Sequence, residues 1–271
     1  MKLPVLISIP HGGWRVPEEL MEVWALSPAE AFHDGDPCTP RIFDFSSRVE
    51  AQATMEFFRA AIDLNRAPDD SAPENPDGVV KSHTCYDVPV YKSGFIPGGQ
   101  LKQALLDKYY HPYHRFLDEV FTGGDVRLGL DCHSMAAVSP PNTETPGGPR
   151  PLICLGNLGG ADARECPPHD RLSAGSPLLE FMRDRFEAVF RHEDVDVEVP
   201  AVATMNVPFE GGYITRKMGY HELPFVQIEM SRALYLVHPH FDEGNLAVDD
   251  KRIKDLNAKI WQVVRDTVQH L

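Results

Sequence analysis

Val5-Leu6-Ile7-Ser8-Ile9-Pro10-His11-Gly12-Gly13 is an apolar run that stops at a proline and passes a histidine to a glycine pair. A short continuous apolar run bounded by proline and glycine reads as a buried parallel strand, which leaves His11 at the strand's carboxyl edge. Open α/β sheets carry their sites at that edge. Two later stretches repeat the design: Val126-Arg127-Leu128-Gly129-Leu130-Asp131-Cys132-His133-Ser134, and Pro224-Phe225-Val226-Gln227-Ile228-Glu229-Met230-Ser231. Each is an apolar strand that delivers a residue able to hold a metal or work beside one, and together the three runs predict an α/β fold organised around their ends.

The chain has 271 residues, enough to bury a sizeable core as one large α/β domain spanning 1–271. Its formal net charge is −14, from 40 acidic and 26 basic residues, which opposes nucleic acid and anionic membrane as partners. A small-molecule substrate carrying a carboxylate would meet the same repulsive field, so particular arginines must overcome it. There is no apolar run of about 18 residues, and Met1-Lys2-Leu3-Pro4 leads directly into strand sequence, so the expectation is a soluble, cytoplasmic protein without a membrane span. Cys38, Cys85, Cys132, Cys154 and Cys166 are odd in number and scattered, which indicates neither a disulfide framework nor a zinc ribbon. Cys132 and Cys154 lie in apolar runs and read as buried, inert thiols.

In chain order, residues 18–24 show a short helical pattern, and Ser27-Pro28-Ala29-Glu30 reads as a helix start. Asp34-Gly35-Asp36-Pro37 is an acidic turn. Ile42, Phe45, Val49 and Ala53 then recur at helix-like intervals, which predicts a helix over 41–58 with Asp36 just before it. Asp36 is then either an ordinary charge favoured by the helix dipole or a metal ligand aimed by that helix. Residues 60–70 read as a strand closing into a loop, with Asn65-Arg66 at its end. An arginine there is a solvated surface group or a planar fork gripping a carboxylate. Residues 71–99 read as an irregular, lid-like excursion, and 100–121 as an amphipathic helix whose His111 and His114 have no third ligand nearby. Residues 139–151 form a Pro/Gly loop, 152–155 a short strand, 156–168 another loop, 176–192 a helix and 195–199 a strand. Phe209-Glu210-Gly211-Gly212-Tyr213-Ile214-Thr215-Arg216 joins a flexible glycine pair to polar side chains able to close over a substrate. Residues 250–271 form a final amphipathic helix with Ile253, Leu256, Ile260 and Val264 on its packed side.

Glu229 lies inside an apolar run, where an unpaired carboxylate is expensive to desolvate. A structural ion pair with Arg232 or work on a metal-bound water would each explain it. His11, Asp36 and His133 form a two-histidine, one-carboxylate set, typical of catalytic zinc with water in the remaining position. That set also suits non-haem iron oxygenases, but those sit on all-β barrels by analogy and the alternating strand and helix pattern argues against one.

His11-Gly12-Gly13, Asp34-Gly35-Asp36, Ile62-Asp63-Leu64-Asn65-Arg66-Ala67-Pro68, Asp131-Cys132-His133-Ser134, Gly211-Gly212-Tyr213-Ile214-Thr215-Arg216 and Val226-Gln227-Ile228-Glu229 occur in an order that resembles N-formylglutamate amidohydrolases. The likeness spans nearly the whole chain. It implies a three-layer α/β fold, a mixed β-sheet flanked by helices of the phosphorylase/hydrolase-like kind shared with zinc carboxypeptidases, aspartoacylases and the zinc amidases of peptidoglycan. It also implies one zinc ion per chain, held by His11, Asp36 and His133, with Glu229 as the base. The implied substrate-binding residues are Asn65, Arg66, Tyr213, Thr215 and Arg216, with Arg66 and Arg216 clamping the carboxylates of an N-acyl amino acid. The chain departs from the resemblance at Pro37-Cys38-Thr39-Pro40, where many members carry Trp-His-Ile-Asp, and in a longer loop over 156–166. Those departures bear on which N-acyl amino acid, or which peptidoglycan amide, is the substrate.

Overall fold

The computed structural model describes residues 2–141, 143 and 145–271; Met1, Asn142 and Glu144, the last two within the loop expected at 139–151, lie outside the described residues. The three apolar runs are strands lying side by side: β1 (Leu3–Ile9), β3 (Leu128–Met135) and β6 (Phe225–Ser231). With β2 (Val49–Thr54), β4 (Ile153–Gly156) and β5 (Ala203–Met205) they form one six-stranded sheet in the order β2-β1-β3-β6-β4-β5. β1 is parallel to β2 and β3, and β3 to β6, while β4 runs antiparallel to β6. The sheet is mixed, as expected, and it excludes the all-β barrel.

Side chains alternate between the two faces of a strand, and this sorts the residues by job. Val5, Ile7, Ile9, Leu130, Cys132, Val226, Ile228 and Met230 join one buried apolar cluster with helices α5 (Ser176–Phe190) and α7 (Asp250–His270). The opposite face carries three rows read from the register. Leu6, Gly129 and Phe225 form an apolar row; Ser8, Asp131 and Gln227 a polar one; His133 and Glu229 the last, toward the carboxyl ends. Gly129 is required in its row because a Cβ there would meet the Phe225 ring at 2.0 Å.

Helices cover this second face too. Residues 99–122 form one continuous amphipathic helix made of α3 (Gly99–Leu105), a π-helical turn at Leu106–Tyr110 and α4 (His111–Thr122). Leu105, Leu106, Tyr110, Leu117 and Phe121 bury against Leu6, Ala53 and Phe225, together with Ile214 and Met218 of α6 (Tyr213–Met218). The helix start at Ser27 is present as a capping box: the Ser27 hydroxyl accepts from the Glu30 N–H, and the Glu30 carboxylate accepts from the Ser27 N–H at 2.8 Å, opening α1 (Pro28–Asp34).

Three expectations are corrected. Residues 41–58 are not one helix; a single turn, α2 (Thr39–Ile42), is followed by β2. Val49 and Ala53 are four apart, a spacing that serves a helical face and a strand face equally, and pairing with β1 decides for the strand. Residues 60–70 are turns rather than strand, with Ala60, Ala61 and Ile62 buried. The edge strand lies at Ala203–Met205 instead of 195–199, where Val195 and Val199 only pack partly buried against the core.

Candidate active site

His11 follows β1 after a single residue, Pro10, and its position is fixed by two close approaches. A Cβ on Gly12 would meet Pro40 Cδ at 2.3 Å, and one on Gly13 would meet the Phe57 carbonyl oxygen at 2.1 Å, so only glycines let the chain turn here. Asp36 lies between α1 and α2, its N–H donating to the His11 carbonyl at 3.0 Å. His133 comes from the third row of the sheet. All three are at least 97% buried.

The same pattern orients both imidazoles. His11 Nε2 lies 2.7 Å from Asp63 Oδ1, and His133 Nε2 lies 3.0 Å from Asp131 Oδ2. A carboxylate accepts, so each ring carries its proton on Nε2 and presents an Nδ1 lone pair inward. Those two Nδ1 atoms are 3.2 Å apart, and Asp36 Oδ2 lies 3.1 Å from the one on His133 and 3.5 Å from the one on His11. Three lone-pair-bearing atoms facing one another repel unless something positive stands among them. Tetrahedral zinc with N and O ligands at about 2.0–2.1 Å separates neighbouring ligand atoms by roughly 3.3 Å, so this donor set fits such an ion. The three side chains form a possible metal site.

Positive charge is favoured at this point, whether an ion or a proton on Nδ1 carries it. Burial alone would raise the Asp36 carboxyl, but hydrogen bonding from His11 and His133 holds it well below its usual range. Burial would lower His133, yet Asp131 and Asp36 beside it push it well above the ordinary imidazole value. Arg232 completes the neutralisation of Asp36, with Nη2 3.3 Å from Oδ1, and the Ser134 N–H donates to Oδ2 at 3.2 Å.

Glu229 is the register partner of His133 on the neighbouring strand, with Gln227 Nε2 donating to its Oε1 at 3.1 Å. Burial raises its pKa to about 7; His133 opposes the rise and Asp36 adds to it. The Arg232 ion pair that would give Glu229 a structural role is absent among the described residues, because Arg232 turns to Asp36 and to the His33, Gly35 and Ser134 carbonyls. The site opens into a cavity of about 760 Å³ that the three donors, Glu229, Asn65 and Arg66 all line.

Asn65 is built in tightly. Its Oδ1 accepts the Ile214 N–H at 2.8 Å, its own N–H donates to Asp63 Oδ1 at 2.9 Å, and its Nδ2 lies 3.4 Å from His133 Nε2. Arg66 reaches the Asp77 carbonyl and carboxylate, both at 2.9 Å, while Tyr110 donates to its backbone carbonyl at 2.8 Å.

Tyr213, Thr215 and Arg216, the other three expected binding residues, are not among those that line the cavity. They belong to helix α6, and a helix separates neighbouring side chains by about 100°. Ile214 and Met218 point into the core, so Arg216, two residues from each, is exposed. Thr215 is buried behind the site, its hydroxyl 3.4 Å from Gln227 and 3.5 Å from Asp131, and Tyr213 packs on the Tyr110 and His114 rings. Sequence reasoning gave no separate role to Asp63 and Asp131, the carboxylates behind the histidines, or to Arg59 and Arg150, two further cavity arginines. The signal for the first two was present: each is an acid set in an apolar stretch of a block already quoted.

The chain is similar to proteins already known. The N-formylglutamate deformylases of Pseudomonas putida and Pseudomonas aeruginosa are 28% and 29% identical to the chain over 245 residues, 87% of its length and 82% and 83% of theirs. The crystal structure of N-formylglutamate amidohydrolase from Ralstonia eutropha JMP134 has the same fold, with a TM-score of 0.72 at 19% identity over 100% of this chain and 96% of that one. The N-formylglutamate amidohydrolase family model matches residues 3–236, which include the triad and Glu229, and the chain belongs to that family.

Proposed function

We propose that the chain is a single catalytic domain, residues 1–271, that hydrolyses the amide of N-formyl-L-glutamate to formate and glutamate with one zinc ion. The observation that carries this reading is the convergence of three inward donors, each locked by buried partners, with a buried carboxylate in register beside one of them. Zinc held by His11, Asp36 and His133 would supply Lewis acidity and lower the pKa of water toward neutrality.

The chain's own residues do the rest. Glu229 takes the proton of the water that attacks the formyl carbon and hands it to the leaving amine, a transfer suited to a carboxylate lifted toward neutral pH by burial. Asp63 and Asp131 keep the imidazoles in one tautomer, and Asn65 ties the turn at Asp63 to the start of α6. Arg66 grips the α-carboxylate, which is attached to the carbon bearing the reacting nitrogen and must lie near the triad.

No helix among the described residues is long and apolar enough to cross a membrane, which accords with a cytoplasmic enzyme acting on a small N-acyl amino acid. The test is hydrolysis of a panel containing N-formyl-L-glutamate, N-acetyl-L-glutamate and a muramoyl peptide. Formate release from the first, at least tenfold faster than cleavage of the others, is expected. A preference for the muramoyl amide would replace this reading with a cell-wall amidase.

A further inference from the structure

The loop that leaves β3 turns back on itself: the Ser139 N–H donates to the Gly148 carbonyl at 2.9 Å, and the Arg150 N–H to the Ala137 carbonyl at 3.1 Å. This returns the Arg150 side chain to the cavity, 7% exposed, with its guanidinium 4.9 Å from the centre of the Phe209 ring. The other cavity arginines all have carboxylates. Arg59 donates to Asp63 at 2.6 Å, Arg66 to Asp77 at 2.9 Å and Arg232 to Asp36 at 3.3 Å. Arg150 has none within 4 Å among the described residues; its single side-chain bond there runs from Nε to the Ser139 hydroxyl at 3.3 Å. Its terminal nitrogens, the pair that forks onto a carboxylate, are left without an acceptor among those residues.

A largely buried guanidinium with no carboxylate beside it among the described residues is costly, and burial lowers its pKa accordingly, against the pull of Glu229. The protein keeps this cost at the wall of a cavity, where a ligand can relieve it. The net charge of −14 works against any dianionic substrate, so its second carboxylate needs a local cation, and exposed Arg216 does not face the cavity.

We infer that Arg150 binds the side-chain carboxylate of the substrate and so selects acidic over neutral N-formyl amino acids. This rests on the amidohydrolase reading above. Arg66, next to Asn65 and the triad, takes the α-carboxylate through Nη1, which its bonds to Asp77 leave over; Arg150 takes the carboxylate further from the reacting amide, and Phe209 holds its plane in place.

The experiment compares kcat/KM for N-formyl-L-glutamate and N-formyl-L-glutamine in the native enzyme, R150M and R150K, with glutarate binding measured by calorimetry on the same proteins. R150M is expected to lose about 10²-fold on the glutamate substrate, mostly in KM, and less than threefold on the glutamine one, with R150K in between because it keeps charge without the fork. Glutarate binding should weaken in parallel. Equal losses on both substrates, or an unchanged ratio, would overturn the inference while leaving the hydrolase reading intact. If the native enzyme cleaves neither substrate, the hydrolase reading fails instead. Glutarate binding then decides the role of Arg150: weaker in R150M supports it, unchanged overturns it.

Discussion

Replacing Asp63 with asparagine changes one atom and should disturb both the stability of the fold and the hold on a metal. Asp63 is fully buried and its two oxygens divide four donors. Oδ1 takes His11 Nε2 at 2.7 Å and the Asn65 N–H at 2.9 Å; Oδ2 takes Arg59 Nη2 at 2.6 Å and Nε at 3.2 Å. Fully buried Lys81 stands 3.9 Å away. Burial would raise this carboxyl, but Arg59 and His11 hold it well below its usual range, so it is charged in the native protein. An asparagine amide can turn its oxygen to only one of the two donor pairs and sets an NH₂ against the other. Breaking a buried ion pair from one side costs about 3–5 kcal/mol. At roughly 2 °C per kcal/mol for a chain of this length, Tm should fall by about 6–10 °C. Loss of the partner that orients His11 should weaken zinc binding about 10–100-fold. Thermal unfolding of chelator-treated protein reads the first effect, and competition against a chromophoric chelator the second. A Tm within about 1 °C of the native value, with unchanged zinc affinity, would refute the role given to Asp63.

Three further outcomes are expected. Glu229→Gln should bind zinc normally in the same competition assay and lose on the order of 10²–10⁴ in turnover, and undiminished turnover would remove Glu229 from proton transfer. Arg216→Ala should leave the preference for N-formyl-L-glutamate over N-formyl-L-glutamine unchanged, since Arg216 is exposed and lines no part of the cavity, and a collapsed preference would show that it reaches the substrate. Burial, with Lys217 adding, lowers His114 to about 4, while its Nε2–H is held by the Leu64 carbonyl at 2.9 Å. The unfolded chain takes up that proton near pH 6.5, so this contribution is full above about 6.5 and is lost as pH falls toward 4, amounting to about 3 kcal/mol. His114→Gln should therefore show a shallower decline of Tm between pH 7 and pH 4.5, and parallel declines would contradict the assignment.

The sheet was legible because its central strands are continuous apolar runs, a pattern that burial on both faces demands. His11, His133 and Glu229 were legible because they interrupt or follow apolar runs, His11 after Ile9 and the other two within their strands, whereas Asp36 sits in an acidic turn whose local pattern suits an ordinary helix-end charge equally well. β2 was hidden because a four-residue spacing satisfies two periods at once, and only its pairing with β1 separates them. The setting of Arg216 was hidden for a related reason. The Gly211-Gly212 pair suggested an open loop, whereas the chain enters α6 immediately after it and turns Arg216 away from the core face that Ile214 and Met218 occupy. Arg150 carries no local signal at all, since its loop has no period. Its meaning comes only from what surrounds it in space.

The most direct measurement is a zinc titration of chelator-stripped protein, followed by formate release from N-formyl-L-glutamate and by metal content. Activity should rise linearly and break at one zinc per chain, and His133→Ala should neither retain the ion nor recover activity. Full activity in protein stripped of metal, or a His133→Ala variant that still binds one zinc and turns over normally, would contradict a centre built on His11, Asp36 and His133.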